Sequence, residues 1–421
     1  MNVTELSARR KRVFNAMEDG SVLLLFSGVP KVKSADEDYP FEVNHNFYYL
    51  TGIEQEDCVL MMVVNQGERK EYLFVPPFDP VKAKWYGKRL SLEEANSISG
   101  IRNVLVNHSL EGRVRGELSG SFSDFGTVDK LYVDQDAELK IAEATTTVDY
   151  ARRLVEAFPG LTLLDARSLL VPLRLKKSKA EIEEFEKAAE TTRLGIQAMM
   201  AAARPGKKEY EIANVFFHAI NDYNGNNGLS FPSIVASGKN ACTLHYPHPN
   251  GTLKDGDLLL VDVGARSSYY CGDVSRTFPV SGRFTPIQRT IYEIVLGANR
   301  EIQKMARPGV TIPELQSLAI HYMAAECVDK GLLENPDQIK DVYYHSCSHF
   351  IGLDTHDVGE RNAPLQEGNV ISNEPGLYFE NLGIGVRIED DLLITRNGCV
   401  NLTESIVKDP DALEVLLNSG R

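Results

Sequence analysis

The sequence predicts an α/β N-terminal domain followed by an α+β domain that contains an internal repeat. Within residues 1–171, short apolar runs typical of buried strands alternate with helical and loop segments; the runs are VLLLF (22–26), CVLMMVV (58–64), EYLFV (71–75) and LYVD (131–134). Residues 172–421 contain two related segments. Because 421 residues exceed one ordinary hydrophobic core, we predict two domains, 1–171 and 172–421.

The internal repeat rests on two pairs of matching segments. ARPG occurs at 203–206 and again at 306–309, each time between two helical patterns. LKDGDLLLVDVG (253–264) aligns with LQEGNVISNEPG (365–376). The alternative is that two unrelated strand–turn units share a common turn. A duplicated unit predicts a pseudo-twofold axis through the second domain.

The predicted boundary lies at a proline. Pro172 disfavours helix before it, and a strong helix start follows at Ser178. Ser178 and Glu181 form an S-x-x-E capping box ahead of a long helical pattern.

Composition excludes several classes of protein. The formal net charge of −14 argues against a nucleic-acid binder, which needs a basic face. The N-terminus lacks the apolar stretch of a signal peptide, and no apolar run is long enough to cross a bilayer. The six cysteines are scattered without a C-x-x-C pair, which is typical of reduced thiols. We therefore expect a cytoplasmic protein without a membrane partner.

The repeat aligns acidic residues at the ends of apolar strands. Asp262 aligns with Glu374, and one strand further along each half lies another acid, Asp273 or Glu389. A histidine accompanies each strand, His245 in LHY and His356 in THD. A pseudo-twofold axis would bring these side chains to one central cleft.

Such a cluster of buried acids needs positive charge. Each acid alone could be a strand-end cap or a salt-bridge partner, but several facing each other repel and take up protons. Two divalent cations would remove the repulsion. Mostly oxygen ligands with one nitrogen favour Mn²⁺, and Co²⁺, Zn²⁺ or Fe²⁺ also fit.

The remaining histidines divide into site candidates and structural residues. His345 and His349 are spaced like the pair of an H-E-x-x-H zinc helix, but Ser346 replaces the required glutamate, which excludes that motif. His45 and His108 fit surface or structural roles. Trp85, the single tryptophan, fits core or interface packing.

The chain resembles the Xaa-Pro aminopeptidases and Xaa-Pro dipeptidases (prolidases), the proline-directed branch of the pita-bread metallopeptidases. The matching segments are IVASGKNACTLHY, LLLVDVGARSSYYCGDVSRTFPVSG, HFIGLDTHDVG, NEPGLY, GIGVRIEDDLLIT and, in the N-terminal part, SADEDYPFEVNHNFYYLTG. The resemblance implies a pita-bread catalytic domain after a creatinase/prolidase-type α/β domain. It also implies a homodimer or homotetramer in which the N-terminal domain helps to build the neighbour's site.

The resemblance also implies residue roles. Asp262 would bind one metal, His349 and Glu374 the other, and Asp273 and Glu389 would bridge both. Glu374 would also move the proton of the attacking water. His245 and His356 would contact substrate and stabilise the transition state. Arg387 would lie beside the second bridging acid as a catalytic residue, and Tyr378 and His345 would lie near the metals and bind substrate. Relatives often have glycine where this chain has Ser346, and the neighbouring Cys347 could make the site sensitive to thiol reagents.

The implied activity is metal-dependent hydrolysis of the Xaa–Pro bond in peptides with proline second. Xaa–Pro has no amide N–H, so selection must come from a pocket shaped for the ring. The alternatives are a prolidase restricted to dipeptides, a metal-free creatinase-like hydrolase, a methionine aminopeptidase and a non-catalytic binding module. Only the second metal carries a nitrogen ligand, so the two metal sites are expected to differ in affinity.

Overall fold

The computed structural model describes residues 2–121, 128–134, 146–224 and 228–419. The chain divides into two compact units, Met1–Leu173 and Arg174–Arg421. No helix within the described ranges combines the length and apolar character needed to cross a membrane.

The first unit is built on one mixed sheet. The strands of the unit are β1 (Ser21–Phe26), β2 (Val32–Ser34), β3 (Glu37–Asp38), β4 (Val59–Asn65), β5 (Glu68–Val75), β6 (Val104–Val106), β7 (Lys130–Val133) and β8 (Thr162–Asp165). Six of them form the sheet, in the order β6-β5-β4-β1-β7-β8. The pairs β1–β4 and β4–β5 are antiparallel, whereas β1–β7, β5–β6 and β7–β8 are parallel. The predicted α/β fold is confirmed.

Helices accompany the sheet along the chain. They are α1 (Val3–Ala16), α2 (His45–Thr51), α3 (Lys82–Tyr86), α4 (Leu92–Ser99), α5 (Leu110–Leu118), α6 (Thr146–Ala157) and α7 (Arg167–Leu175). Strands β1 and β4 are buried almost throughout, which explains their continuous apolar sequence.

One expectation for the first unit is wrong, and one is narrowed. Helix α7 contains Pro172, so the proline does not end the helical segment before it. Pro172 is the sixth residue of this helix, so it removes the one backbone hydrogen bond that an N–H at this position would donate to the carbonyl of Ser168. Trp85 is 72% exposed, which is incompatible with core packing, and interface packing stays a prediction.

The second unit contains long helices and short antiparallel strands. The helices are α8 (Lys179–Ala202), α9 (Glu209–Asn224), α10 (Pro286–Met305), α11 (Ile312–Asp329) and α12 (Pro410–Ser419). The strands are β9 (Ile234–Ser237), β10 (Leu258–Val263), β11 (Arg266–Ser267), β12 (Tyr270–Cys271), β13 (Val274–Pro279), β14 (Val370–Asn373), β15 (Gly376–Phe379), β16 (Ile384–Arg387), β17 (Asp390–Thr395) and β18 (Gly398–Asn401).

The repeat predicted from the sequence is present in this unit. Sheets β13-β10-β9 and β14-β17-β18 have a matching arrangement. In each, one strand pairs with the strand three further along the chain, β10 with β13 and β14 with β17, and the two strands between them form a small hairpin, β11–β12 or β15–β16. Each ARPG segment follows a long helix and precedes another, α8 and α9 or α10 and α11. The Ser178 capping box starts α8 as predicted. The core of the unit lies between these helices and sheets.

Candidate metal centre

The first half of the repeat supplies two acids from neighbouring strands. Asp262 lies in β10 and is 9% exposed, and Asp273 directly precedes β13 and is 4% exposed. The backbone N–H of Asp273 donates to Asp391 Oδ2 at 3.3 Å. Both carboxyl groups are therefore held in the interior by strands rather than by flexible loops.

The second half supplies two glutamates and a clamp that fixes them. Glu374 directly follows β14 and Glu389 directly precedes β17. The fully buried Asn299 of α10 donates from Nδ2 to the carbonyls of Asn373 (3.1 Å) and Ile388 (3.3 Å). These carbonyls belong to the residues immediately before the two glutamates. One amide thus fixes the spacing of both backbones, since buried carbonyls require a donor.

His349 lies between acids from both halves. Its Nε2 is 3.4 Å from Asp273 Oδ2 and 3.4 Å from Glu374 Oε1. Its other ring nitrogen lies 3.1 Å from the carbonyl of Phe350, which turns Nε2 toward the acids. A histidine so oriented presents one nitrogen to a cation.

The ligand atoms of Asp273, His349 and Glu389 lie close enough together to hold one ion. Glu374 joins this group through its contact with His349. Asp262 is directed instead toward Arg387, whose Nη2 donates to Asp262 Oδ2 at 2.7 Å. The other oxygen of Asp262, Oδ1, is buried without a hydrogen-bond partner among the described residues.

The electrostatics of the cluster reflect crowded acids in a dry environment. Burial raises the pKa of Asp273 to about 6 and that of Glu374 to about 7, and it raises the pKa of Glu389 well above its usual range. Burial alone would lower the pKa of His349, but the contact with Asp273 and the charge of Glu374 raise it to about 9. The protein therefore supplies too little positive charge for these carboxylates.

These observations fit divalent cations. The donor set is carboxylate oxygens and one imidazole nitrogen, and one inward-facing carboxylate oxygen, Asp262 Oδ1, has no protein partner. A cation would keep the acids ionised at neutral pH and would give that oxygen a partner.

Beside the acids lies a row of three hydrogen-bonded side chains. Arg387 Nη1 donates to the hydroxyl of Tyr378 at 2.9 Å, and that hydroxyl is 2.8 Å from His345 Nε2. Burial, together with the charge of Arg387, lowers the pKa of His345 to about 4. His345 is therefore neutral at pH 7.

The other two predicted histidines lie at the exposed side. The ring of His356 stacks on that of His349 with 4.0 Å between centroids, and its desolvation lowers the pKa to about 4. His245 is exposed, and its charge also lowers the pKa of His356. The structure thus brings His356 into contact with the predicted ligands, whereas His245 lies in the surrounding loop.

Sequence reasoning missed two serines that hold the glutamates. Ser275 Oγ donates to Glu389 Oε2 at 2.8 Å and accepts from Arg387 Nε at 2.8 Å. Ser372 Oγ donates to Glu374 Oε1 at 3.2 Å and accepts the backbone N–H of His349 at 2.9 Å. The position of Ser372, two residues before Glu374 on one strand face, was the only available signal.

The expected sensitivity of Cys347 to thiol reagents is not supported by its surroundings. The side chain is fully buried, and burial raises the thiol pKa well above its usual range. A buried thiol that stays protonated is a poor nucleophile.

Known proteins resemble this chain along nearly its whole length. The model of metallopeptidase family M24 matches residues 183–396, and that of the aminopeptidase P N-terminal domain matches residues 6–122. The chain belongs to metallopeptidase family M24.

Within that family, the relatives are Xaa-Pro aminopeptidases. The Haemophilus influenzae protein is 35% identical, with 98% of this chain and 97% of the relative covered. The Escherichia coli protein is 33% identical, with 99% and 98% covered. The Zn-substituted E. coli aminopeptidase P in complex with product superimposes with a TM-score of 0.91 at 32% identity, covering 100% of this chain and 99% of that one.

Proposed function

We propose that this chain is an Xaa-Pro aminopeptidase, which releases the first residue from peptides that have proline second. The observation that carries the proposal is the full-length match to Xaa-Pro aminopeptidases together with the acid cluster around His349. Solved structures of the E. coli aminopeptidase P include one with substrate and one with the inhibitor Pro-Leu, which supports a peptide as the ligand.

We further propose that the cluster binds two divalent cations, with Mn²⁺ as the first candidate. Asp262, Asp273 and Glu389 would hold one ion. Asp273, His349, Glu374 and Glu389 would hold the other. Bound there, the ions would lower the pKa of a water molecule and polarise the scissile carbonyl.

The side chains around the ions have separable tasks. Glu374 Oε1 is occupied by Ser372 and His349, which leaves Oε2 to take a proton from the attacking water and pass it to the proline nitrogen. His356 is neutral at pH 7 and can donate a ring N–H to the developing oxyanion. Arg387 donates to both Tyr378 and Asp262 and so orients them beside the ions.

A cavity next to Tyr378 favours an aminopeptidase over a dipeptidase. It measures about 660 Å³, and its wall includes Tyr344, Tyr378 and Cys242. Lys239 is the one cation among the lining residues that the structure describes, and it is already paired with Glu380 at 2.9 Å. A dipeptidase needs a cation to bind the carboxylate that directly follows proline.

The test compares peptides of two lengths. The protein is stripped with a chelator, reloaded with Mn²⁺, and offered matched Xaa-Pro and Xaa-Pro-Xaa peptides. We expect release of the first residue from the longer peptide with kcat/KM at least equal to that for the dipeptide. Cleavage of the dipeptide alone would establish a prolidase, and cleavage of neither would refute the proposal.

The exposed apolar side chains of the first unit support self-association as a dimer or tetramer. Phe78, Val81, Trp85 and Tyr86 are each more than 60% exposed within nine residues of chain. Such a concentration of apolar surface is typical of an interface. Light scattering should give a mass above one chain, and Trp85→Ala should lower it.

We also propose a cytoplasmic location. All six cysteines are free thiols, which fits a reducing compartment. Cell fractionation would decide this point.

A further inference from the structure

The two histidines assigned to the substrate, His245 and His356, lie in loops and not in regular elements. A loop holds a side chain in position only when other groups fix its backbone. The groups that fix these two loops are buried carboxylates outside the acid cluster.

The loop of His245 is tied at both ends by Glu209, the first residue of α9. Glu209 is fully buried. Its Oε1 accepts from the N–H and Oγ of Ser237 and from Asn240 Nδ2, all at 2.8–2.9 Å. Its Oε2 accepts from the N–H of Gly251 at 2.7 Å. One carboxylate thus spans the segment 237–251, with His245 near its middle.

The fit around Glu209 is tight. A Cβ atom at Gly251 would lie 2.6 Å from Glu209 Oε1, so any larger residue would displace the carboxylate. The backbone also pairs here, because Glu209 N–H donates to the carbonyl of Gly251 at 3.0 Å.

The loop of His356 is fixed by its neighbour Asp357. The Asp357 side chain is 1% exposed and lies between two buried cations of the same unit. Arg174 Nη2 donates to Oδ1, and Lys177 Nζ donates to Oδ2 at 3.1 Å. The N–H of Asp357 donates to the carbonyl of Phe350 at 2.8 Å, which closes the loop.

The approach of Asp357 to the loop backbone is equally close. A Cβ at Gly352 would lie 1.8 Å from Asp357 Oδ2. The carboxylate therefore occupies space that only a glycine leaves open. His356, one residue away, is set on the ring of His349 by this arrangement.

We propose that Glu209 and Asp357 are positioning residues, Glu209 for His245 and Asp357 for His356. The inference rests on the proposed function, because it assumes that these histidines meet the substrate. Each carboxylate acts through one histidine only.

Double-mutant cycles test this assignment. Glu209→Gln keeps the size of the side chain but turns a donor toward the Gly251 N–H. Asp357→Asn likewise keeps the size of the side chain but turns an amide donor toward Lys177 or Arg174. Each is combined with His245→Ala and with His356→Ala, and kcat/KM is measured on an Xaa-Pro-Xaa peptide. Glu184→Gln, a carboxylate on α8 that accepts from Ser267 Oγ, is the control.

We expect each single variant to lower kcat/KM by about 10- to 100-fold, the range for residues that orient functional groups. In the His245→Ala background Glu209→Gln should change kcat/KM by less than about twofold, and its effect should persist in the His356→Ala background. Asp357→Asn should give the opposite pattern. Glu184→Gln should stay within about twofold of wild type. The proposal would be overturned if, in all four double variants, the loss in kcat/KM equals the product of the losses in the two single variants.

Amide hydrogen exchange provides a readout that does not depend on activity. Glu209→Gln should speed exchange in segment 238–251 and Asp357→Asn in segment 352–359, each without affecting the other segment. Equal exchange in both variants and wild type would also overturn the proposal. If wild type cleaves no Xaa-Pro peptide, the proposed function fails, and exchange still decides whether the carboxylates order the loops.

Discussion

The two halves of the repeat start alike and differ in their hairpins. In the first half Asp262 and Asp273 are 11 residues apart, and in the second Glu374 and Glu389 are 15 apart. The first hairpin pairs two residues with two, Arg266–Ser267 with Tyr270–Cys271. The second pairs four with four, Gly376–Phe379 with Ile384–Arg387.

The additional length of the second hairpin contributes side chains that the first half lacks. Tyr378 and Arg387 both lie on it and reach His345 and Asp262. The strand register differs as well. In the first half Asp262 pairs across the ladder with Ser275. In the second half the last pair of the ladder is Asn373 with Asp390. Glu374 and Glu389 lie across from each other at the next position, one residue beyond that pair. The shared frame thus supplies the acids, and the longer hairpin supplies Tyr378 and Arg387, which hydrogen-bond beside them.

Removing the metal ions should have the largest effect on both halves. We expect chelation to abolish hydrolysis and to lower the free energy of unfolding, by about 2.7 kcal/mol for each ion present at a hundred times its Kd. In the proposed arrangement His349 would supply its nitrogen to one ion only, so the ion with only oxygen ligands should leave first. Metal content and activity are followed during stepwise chelation. Loss of both ions at the same chelator concentration would contradict the expected difference in affinity between the two sites.

Arg387→Ala should distinguish the two hairpins. It removes donors from Asp262, Tyr378 and Ser275, and we expect kcat/KM to fall by about 10- to 100-fold. The matched control is Arg266→Ala in the first hairpin, where the guanidinium stacks 4.9 Å above the Tyr269 ring. The control should stay within about twofold of wild type. Equal losses in both variants would show that the hairpins do not differ in role.

The stability of the metal-free protein should depend on pH through titratable residues of the second half. The pKa of His349 rises from 6.5 to about 9 on folding, so the folded chain binds the additional proton within that window. Stability therefore falls as pH rises from about 6.5 to 9. The pKa of Glu374 is also raised, to about 7, so this residue likewise makes stability fall as pH rises to about 7.

Two other histidines oppose this trend only at lower pH. The pKa values of His345 and His356, both lowered to about 4, make stability rise with pH below about 6.5. Urea unfolding in chelator at several pH values from 6.5 to 9 measures the slope. His349→Gln should reduce the slope and leave the part that the raised pKa of Glu389 contributes. An unchanged slope in that variant would refute the assignment.

The smallest expected effect concerns the turn of the first hairpin. Ser268 and Tyr269 have φ of +48° and +69°, a conformation that favours Asn-Gly in two-residue hairpins. Replacing them by Asn and Gly should stabilise the protein by about 1 kcal/mol, less what the Arg266–Tyr269 contact contributes. Thermal unfolding measures the gain. Activity should not change, because none of the site contacts among the described residues involves the side chain of Ser268 or Tyr269.

The sequence predicted those features that a single segment can encode. Runs such as CVLMMVV identified buried strands because burial on both faces leaves no polar alternation. The capping box at Ser178 and the duplicated acids were equally local signals. Asn299, Ser275 and Ser372 could not be found in this way, because each acts across strands or from a distant helix. Which residues bind the ions stays a prediction, although the structure brings Asp273, His349, Glu374 and Glu389 together.

The close approaches at Gly251 and Gly352 bear on the interpretation of natural variants. Neither glycine carries a side chain that could react or bind, so a change at either would be easily dismissed as silent. Yet alanine at 251 would meet the Glu209 carboxylate, and alanine at 352 would meet that of Asp357. Such alleles would impair the enzyme as if the distant histidine itself had been altered.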